Sequence, residues 1–352
     1  MADTKYKSIQ ELVAEINKKH GDDIVISGNA VRQEVPRCTT GILAYDLSLG
    51  GGWASNQWNE IVGEESSGKT AIAYKTIAAN QALDPEWCAL WVAAEEYVPE
   101  YAASFGVDLE RLWVVETNEM ESALDLVLKA VANRAVDCVV LDSLPALVTE
   151  TEVNKAMDEA SVATGAQILS RFFKKCAKAQ RRSLTEADRP CTLIAINQWR
   201  DKIGVMFGDP RTTPGGKAKN YYYFIRVEVR RDEWIAEGSK LDTRVGQTIK
   251  MRVMKNKTYR PQQVAQADFY FADTHYFRKG DFDTAKDLVN VALALELFEG
   301  RYKFNGERIA SKKEELYDIV RQDLDLQRAL RDAAMAAVLG EETPEAVGAA
   351  DE

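Results

Sequence analysis

The sequence predicts an α/β fold built on a mainly parallel, twisted sheet, and three observations carry that prediction. Between about residues 57 and 230, short β-rich apolar runs alternate with stretches of helical periodicity. One of those runs passes directly into a glycine-rich phosphate-binding motif and from there into a helical segment. Beyond residue 280 the pattern changes to helices around one short hairpin, the mark of a small α+β unit.

Taken along the chain, Ser8-Ile9-Gln10-Glu11 has capping-box spacing, and Ile9, Leu12, Val13 and Ile16 follow at helical intervals. This short amphipathic helix stands about twenty residues ahead of the main body, and its apolar stripe suits docking on a neighbouring subunit or on its own core. The runs Asn59–Val62, Ala89–Ala93, Leu112–Glu116, Cys138–Leu141 and Leu193–Ile196 are each separated by enough chain for a crossover helix, which is how a parallel sheet is connected. Further strand-like runs at Tyr221–Arg230, Thr248–Met254 and Ala267–Phe271 are joined by shorter loops and predict an antiparallel extension. Asp283–Phe298, a hairpin turning at Asn305-Gly306, and helices at about 312–322 and 324–339 complete the reading.

Composition excludes several classes. The 352 residues are 46% hydrophobic, enough to bury a sizeable core. The start, Met1-Ala2-Asp3-Thr4-Lys5, carries no apolar signal region, and no apolar run approaches the roughly 20 residues of a membrane helix, so a cytoplasmic protein without membrane partners is expected. Cys38, Cys88, Cys138, Cys176 and Cys191 lack zinc-site or disulfide-framework spacing and read as reduced thiols. A net charge of −10 excludes a uniformly basic surface, so any nucleic-acid site is local. Such a site exists in the stretch from Gln198 to Arg231, where eight bases stand against three acids. The C-terminus is the opposite, with Glu341, Glu342, Glu345, Asp351 and Glu352 among Gly, Ala and Pro, and predicts a disordered acidic tail.

Gly63-Glu64-Glu65-Ser66-Ser67-Gly68-Lys69-Thr70 satisfies GxxxxGK[ST], follows the strand 59–62 and precedes a helical segment over 71–82. In such a loop backbone N–H groups curl around phosphate, Lys69 reaches the β- and γ-phosphates, and the Thr70 hydroxyl is placed to ligate Mg²⁺. Val139-Val140-Leu141-Asp142-Ser143 is an apolar strand ending in a carboxylate, the form of an acid that holds the metal through water. Hydrolysis also needs a carboxylate to orient water, and Glu95 and Glu96 stand just beyond the strand Ala89–Ala93. ATP with Mg²⁺ is the implied cofactor pair.

The stretch from Ile196 to Gly216, Ile196-Asn197-Gln198-Trp199-Arg200-Asp201-Lys202-Ile203-Gly204-Val205-Met206-Phe207-Gly208-Asp209-Pro210-Arg211-Thr212-Thr213-Pro214-Gly215-Gly216, closely resembles the second DNA-binding loop of the RecA family of recombinases. The resemblance continues through Thr40-Gly41, Asp46-Leu47, the phosphate loop, Phe105-Gly106-Val107-Asp108, Asp142-Ser143-Leu144-Pro145-Ala146-Leu147 and Lys255-Asn256-Lys257, and spans approximately residues 8 to 310. Divergence elsewhere points to a diverged member, such as a phage-encoded one. Physical reading agrees with it: the glycines and prolines make the loop pliable, Arg200 and Lys202 offer phosphate contacts, and Ile203, Val205, Met206 and Phe207 are apolar residues suited to wedging between bases.

The resemblance implies a RecA-like P-loop ATPase core that polymerises head to tail on single-stranded DNA. It would then pair that strand with homologous double-stranded DNA and exchange strands, in recombination, repair and the SOS response to DNA damage, with loader proteins as further partners. It implies that Gln198 senses the γ-phosphate, that Lys255 and Lys257 reach a neighbour's ATP, and that Tyr101 stacks on adenine. It assigns DNA contacts to Arg200, Lys202, Ile203, Gly204, Val205, Met206, Phe207, Gly208, Thr212, Thr213, Gly215 and Gly216. It places Met157–Ala163 as the first DNA loop, with Ser170 and Lys174 on the helix after it, and Arg230, Arg231, Lys250 and Arg252 at a secondary site for incoming duplex. The implied organisation is an N-terminal helix and interface arm over 1–36, an ATPase and DNA-binding core over 37–275, a small α+β domain over 276–339 and the acidic tail over 340–352.

This sequence departs from the family in places. The segment from Glu95 to Pro99 is one residue shorter, which leaves Glu95 and Glu96 both eligible as the catalytic carboxylate, with Glu95 at the usual distance from its strand. Val98 stands where the family has an adenine-contacting acid, Arg211 replaces an acid, and Asn220 replaces an interface lysine while Lys219 moves beside it. A ring-forming motor on the same ATPase fold, or a filament protein using ATP only as a switch, are the competing functions. Absence of extra helicase segments argues against the first, and the intact Lys69, Thr70, Asp142 and Glu95 argue against the second.

Overall fold

The protein is described here by a computed structural model covering residues 8–20, 35–154, 163–185, 189–201, 211–216, 219–237 and 243–340. Helix α1 (Ile9–His20) begins where the capping box places it, the Glu11 N–H donating to Ser8 Oγ at 3.3 Å. Next come β1 (Arg37–Cys38), α2 (Leu43–Leu49), β2 (Trp53–Ala54), β3 (Trp58–Gly63), α3 (Lys69–Leu83), β4 (Ala89–Ala93), α4 (Pro99–Ser104), β5 (Leu112–Glu116), α5 (Met120–Ala132) and β6 (Cys138–Asp142). Then follow α6 (Glu150–Val153), α7 (Ala163–Thr185), β7 (Thr192–Gln198), β8 (Arg200–Asp201), β9 (Arg211–Thr212), α8 (Lys219–Tyr222), β10 (Ile225–Ala236), β11 (Arg244–Asn256) and β12 (Val264–Tyr270). The chain continues through α9 (Thr284–Ala294), β13 (Lys303–Phe304), β14 (Glu307–Arg308), α10 (Lys313–Gln322) and α11 (Leu324–Leu339).

The central sheet has eight strands in the order β12-β11-β10-β3-β7-β6-β4-β5. From β10 across to β5 the neighbours are parallel, and β11 and β12 add the antiparallel edge that the loop lengths predict. Strands β3, β4, β6 and β7 are buried along nearly their whole length because helices cover both faces, so they read as continuous apolar runs rather than alternating ones. On one face Ile72, Tyr74 and Ile77 of α3 pack with Trp91, Phe105 and Phe269. On the other, α5 and α7 bring Leu124, Val127, Phe172 and Phe173 onto Trp58 and Leu193, with Trp58 meeting both phenylalanines edge-on at 5.6 and 5.5 Å. Burying an aromatic of this size contributes about 1.5–3 kcal/mol each.

One strand expectation is corrected. The aromatic run from Tyr221 does not begin a strand: residues 219–222 form the short helix α8, and β10 starts at Ile225 and runs on to Ala236. The cause is tertiary, since the Phe224 N–H donates to Trp58 O at 2.7 Å where the chain joins β3, and the turn before it buries Lys219 while leaving Tyr221 79% exposed. The C-terminal helices α9, α10 and α11 close a separate apolar cluster around Leu288, Val289, Leu316 and Leu330, to which α2 contributes Leu43 and Leu47. All five cysteines are free thiols, four of them buried. Among the described residues no helix is long and apolar enough to cross a membrane. The expectations for residues 157–162, for Lys202 through Gly208 and for the tail from residue 341 lie outside the described residues.

Candidate nucleotide and DNA site

In an open sheet, ligands bind at the carboxyl ends of parallel strands. Strand β3 ends there in Gly63, and the phosphate loop turns from it into α3. Gly63 passes so close to β10 that a Cβ would lie 2.2 Å from Val229 O. Gly68 has φ +95° and leaves no room beside Ile249 Cδ1, so only glycine fits the step into the helix. Helix α3 therefore starts without a side-chain cap, its first N–H groups turned toward the loop.

Lys69, Thr70, Ser66, Ser67 and Gly68 line a cavity of about 480 Å³ together with Glu95, Tyr101 and Asp142. Gly63 is buried at the end of β3, while Glu64 and Glu65 form the loop's outer turn and are exposed. Lys69 Nζ donates to Glu64 O at 2.6 Å, bridging the loop it serves. Ser67 Oγ is buried and has no hydrogen-bond partner among the described residues, an orphan that a phosphate oxygen would satisfy. Thr70 Oγ1 donates to Asp142 Oδ2 at 2.9 Å, which sets two hard oxygen donors side by side, the set Mg²⁺ prefers. Burial pushes the Asp142 carboxyl up to about 6, with neighbouring Glu95 adding to the rise and Thr70 and Lys69 opposing it. Burial likewise draws the Lys69 ammonium down, against the pull of Asp142 and Glu95.

Strands β4 and β6 are register neighbours, Ala93 opposite Asp142, and the Ala94 N–H donates to Asp142 O at 2.8 Å. That pairing delivers Glu95 to the cavity, where the Ser143 hydroxyl hydrogen-bonds Glu95 Oε1. Glu95 and Glu96 both line the cavity, and Glu95 is the one that bonds the residue after Asp142 and raises the proton affinity of both Lys69 and Asp142.

Strand β7 lies between β3 and β6, so the last residue of β7, Gln198, is the register partner of Gly63. Arg200 follows at once in β8, paired to Thr212 of β9. Thr213, Gly215 and Gly216 form the returning stem, with Thr213 buried, and a Cβ on Gly215 would lie 2.8 Å from Leu169 Cδ1 of α7. Ser170 is half-buried and Lys174 exposed on α7.

Of the four bases expected at a secondary site, Arg230 stands directly opposite Lys250 in the β10–β11 pair, and Arg252 follows two residues on along the same face. Arg231, as the next residue in β10, turns to the other face and stacks over the Trp234 ring at 4.0 Å, with Arg244 over the same ring at 4.6 Å. Lys255 pairs opposite Arg226, near the end of β10 away from the phosphate loop, and its Nζ donates to Asn220 O at 2.8 Å. Lys257 lies over the Phe224 ring at 5.5 Å. Neither lysine lines this subunit's own nucleotide cavity.

Sequence reading missed part of the cavity wall. Trp91, Trp234, Gln247, Phe269 and Phe271 line it beside Tyr101, and Trp234 and Phe271 meet edge-on at 6.2 Å. Gln247 Nε2 also reaches Ser66 O at 3.3 Å. Trp91 lies within the parallel strand β4, whereas Trp234, Gln247, Phe269 and Phe271 come from β10, β11 and the end of β12, more than 150 residues beyond the phosphate motif, where no spacing relates them to it. The one local signal was the aromatic at the end of the strand-like run 267–271.

A phosphate loop on a central parallel strand, a metal-suited Thr–Asp pair and a carboxylate beside them define a P-loop NTPase. The chain matches the family model for the RecA N-terminal domain over residues 7–275. It is similar to Protein RecA of Staphylococcus aureus strains JH9, Newman and N315, each 34% identical over 320 residues that cover 89% of this chain and 87% of the relative. The chain belongs to the RecA family, ATP-dependent recombinases that act as DNA-dependent ATPases with strand-exchange activity in DNA recombination and repair.

Proposed function

We propose that the chain binds ATP with Mg²⁺ in the 480 Å³ cavity and hydrolyses it in step with single-stranded DNA held at the β8–β9 stem. The observation that carries this reading is the placement of Gln198, beside Gly63 of the phosphate loop on one side and two residues from Arg200 on the other. A change at the γ-phosphate then has only one side chain to cross before it reaches the DNA stem. Lys69 and the α3 N-terminus hold the phosphates, Glu95 orients the attacking water, and Tyr101 and Phe271 bracket the base. Mg²⁺ held by Thr70, and through water by Asp142, would neutralise phosphate charge.

Lys255 and Lys257 stand apart from their own cavity, which supports their acting on a neighbour's nucleotide in a head-to-tail assembly that does not close and so forms a helical filament. In that reading 37–275 is the ATPase and DNA-binding core, α1 belongs to the interface arm, 276–339 is a small appended domain and the acidic tail competes with DNA for basic surfaces. Arg230, Lys250 and Arg252 receive homologous duplex on one sheet face, and loader proteins are the external partners.

The test is ATP hydrolysis with and without single-stranded DNA, with Lys69→Ala as the control, followed by strand exchange between a circular single strand and homologous duplex. DNA-stimulated hydrolysis lost in the variant, with exchanged products in the parent, is the expected result. Hydrolysis indifferent to DNA would sink the coupling.

A further inference from the structure

Glu60, on β3 three residues before Gly63, is fully buried, and three side chains from three other elements converge on its carboxylate. Asn197 Nδ2 of β7 donates to Oε1 at 2.9 Å, Arg226 Nε of β10 donates to Oε2 at 2.5 Å, and Lys219 Nζ of α8 lies 3.5 Å from Oε1. Two of these arms lead on to the DNA segment. Asn197 Oδ1 in turn accepts the Gln198 N–H at 3.0 Å, fixing the backbone at the entrance of the DNA segment. Lys219 Nζ donates to Thr213 Oγ1 at 2.5 Å, on the returning stem, and to Asn220 Oδ1 at 3.0 Å.

The Lys219 side chain is wholly enclosed, against the Tyr223 ring at 5.7 Å and beneath the Gly215 turn, where a Cβ would come 3.1 Å from Lys219 Cδ. Burying an ammonium costs several kcal/mol unless it is paired and hydrogen-bonded, and packing a stem asks only for an apolar side chain of that length. The charge must therefore do something that packing alone would not. It ties the returning stem, through one carboxylate, to the strand that carries the phosphate loop and to the residue that orients Gln198.

We propose that Lys219 is a positioning residue that, through Glu60, Asn197 and Thr213, holds the two ends of the DNA segment in fixed relation to the phosphate loop and so couples DNA binding to hydrolysis. The inference rests on the nucleotide and DNA roles proposed above. Lys219 touches no nucleotide and lines no part of the cavity; it acts through others.

The test compares Lys219→Met, which keeps the length of the stem and removes the charge, with Thr213→Val, which removes only the hydroxyl that Lys219 binds. Two quantities are read in the full chain: the ratio of hydrolysis with single-stranded DNA to hydrolysis without it, and affinity for a fluorescent ATP analogue. Lys219→Met is expected to lower the ratio about tenfold, the scale of one charge-assisted hydrogen bond, while affinity stays within about twofold. Thr213→Val should lower the ratio too, and the double variant should be no worse than Lys219→Met alone, because both cut one connection.

A folded Lys219→Met protein with the parental ratio would overturn the proposal, as would a fall in ratio matched by an equal fall in nucleotide affinity. If Lys219→Met does not fold, a parental ratio in Thr213→Val overturns it instead. A parent chain that DNA does not stimulate would overturn the site reading itself, whereas a stimulated parent beside an unaffected Lys219→Met removes only the coupling role.

Discussion

Thr70 Oγ1 donates to Asp142 Oδ2 at 2.9 Å although β3, which leads through the loop to Thr70, and β6, which ends in Asp142, are not neighbours, since β7 lies between them. The hydroxyl spans that gap because α3 starts immediately after the phosphate loop and leans over the strand ends. The Thr70–Asp142 pair and the phosphate loop thus sit above β7, the strand that continues into the β8–β9 stem. Removing the hydroxyl by Thr70→Val should reduce DNA-stimulated hydrolysis by about a hundredfold or more, the scale of losing one preorganised charge stabiliser, with little change in thermal stability. Steady-state hydrolysis and a melting curve on the same sample check both halves.

Asp142 holds its proton up to about pH 6 in the free protein, because burial penalises the charge and Glu95 adds to that penalty. Metal binding needs the carboxylate, so affinity for Mg²⁺ with nucleotide should fall as pH drops through about 6 and be fully present above it. Asp142→Asn should abolish that pH dependence and most of the affinity. Titrations of a fluorescent ATP analogue across this range, with Mg²⁺ present, provide the measurement.

Glu95 and Glu96 are separable by function. Glu95→Gln should lower hydrolysis by about 10²–10⁴-fold, the usual contribution of a positioned acid or base, while nucleotide binding persists. Glu96→Gln should remain within a few-fold of the parent, since Glu95 is the one bonded to Ser143. Single-turnover hydrolysis would distinguish them, and a larger loss in Glu96→Gln would reverse the assignment.

Lys255 is drawn down to about 8, first by burial and then by Lys257 and Arg226, with Glu60 opposing. A lysine with a lowered value is charged below it and neutral above it. If its charge acts on a neighbour's nucleotide, DNA-stimulated hydrolysis should decline as pH rises through about 8 or somewhat higher, where bound phosphate supports the charge. Lys255→Arg, which stays protonated, should shift that decline upward if it retains activity. A pH profile identical in parent and variant would remove Lys255 from the reaction.

How much of this was legible beforehand follows from the range of each interaction. The phosphate loop, Asp142 and the strands Ala89–Ala93 and Leu112–Glu116 are local patterns, and they stand in the structure where the sequence reading places them. A glycine at positive φ, an apolar run of strand length and a carboxylate at its end are each dictated by neighbours within a few residues. The sequence places the start of β10 too early because aromatic residues favour strands, while the bond that joins the chain to β3 there, Phe224 N–H to Trp58 O, reaches more than 150 residues back.

The sequence by itself determined the α/β class, the phosphate-binding loop and the family, because these rest on short segments whose conformation and chemistry are set by their own residues. Only the tertiary structure decided that β7 separates the phosphate strand from the Asp142 strand, that Trp234 and Phe271 wall the cavity, and that Arg231 turns away from Arg230. It also decided that Lys219, which the sequence counts among the bases of a local nucleic-acid surface and sets beside a lost interface lysine, is enclosed against Glu60 rather than exposed. Strand order, cross-strand register and burial are fixed by packing between segments far apart in the chain, where no spacing within one segment carries the information.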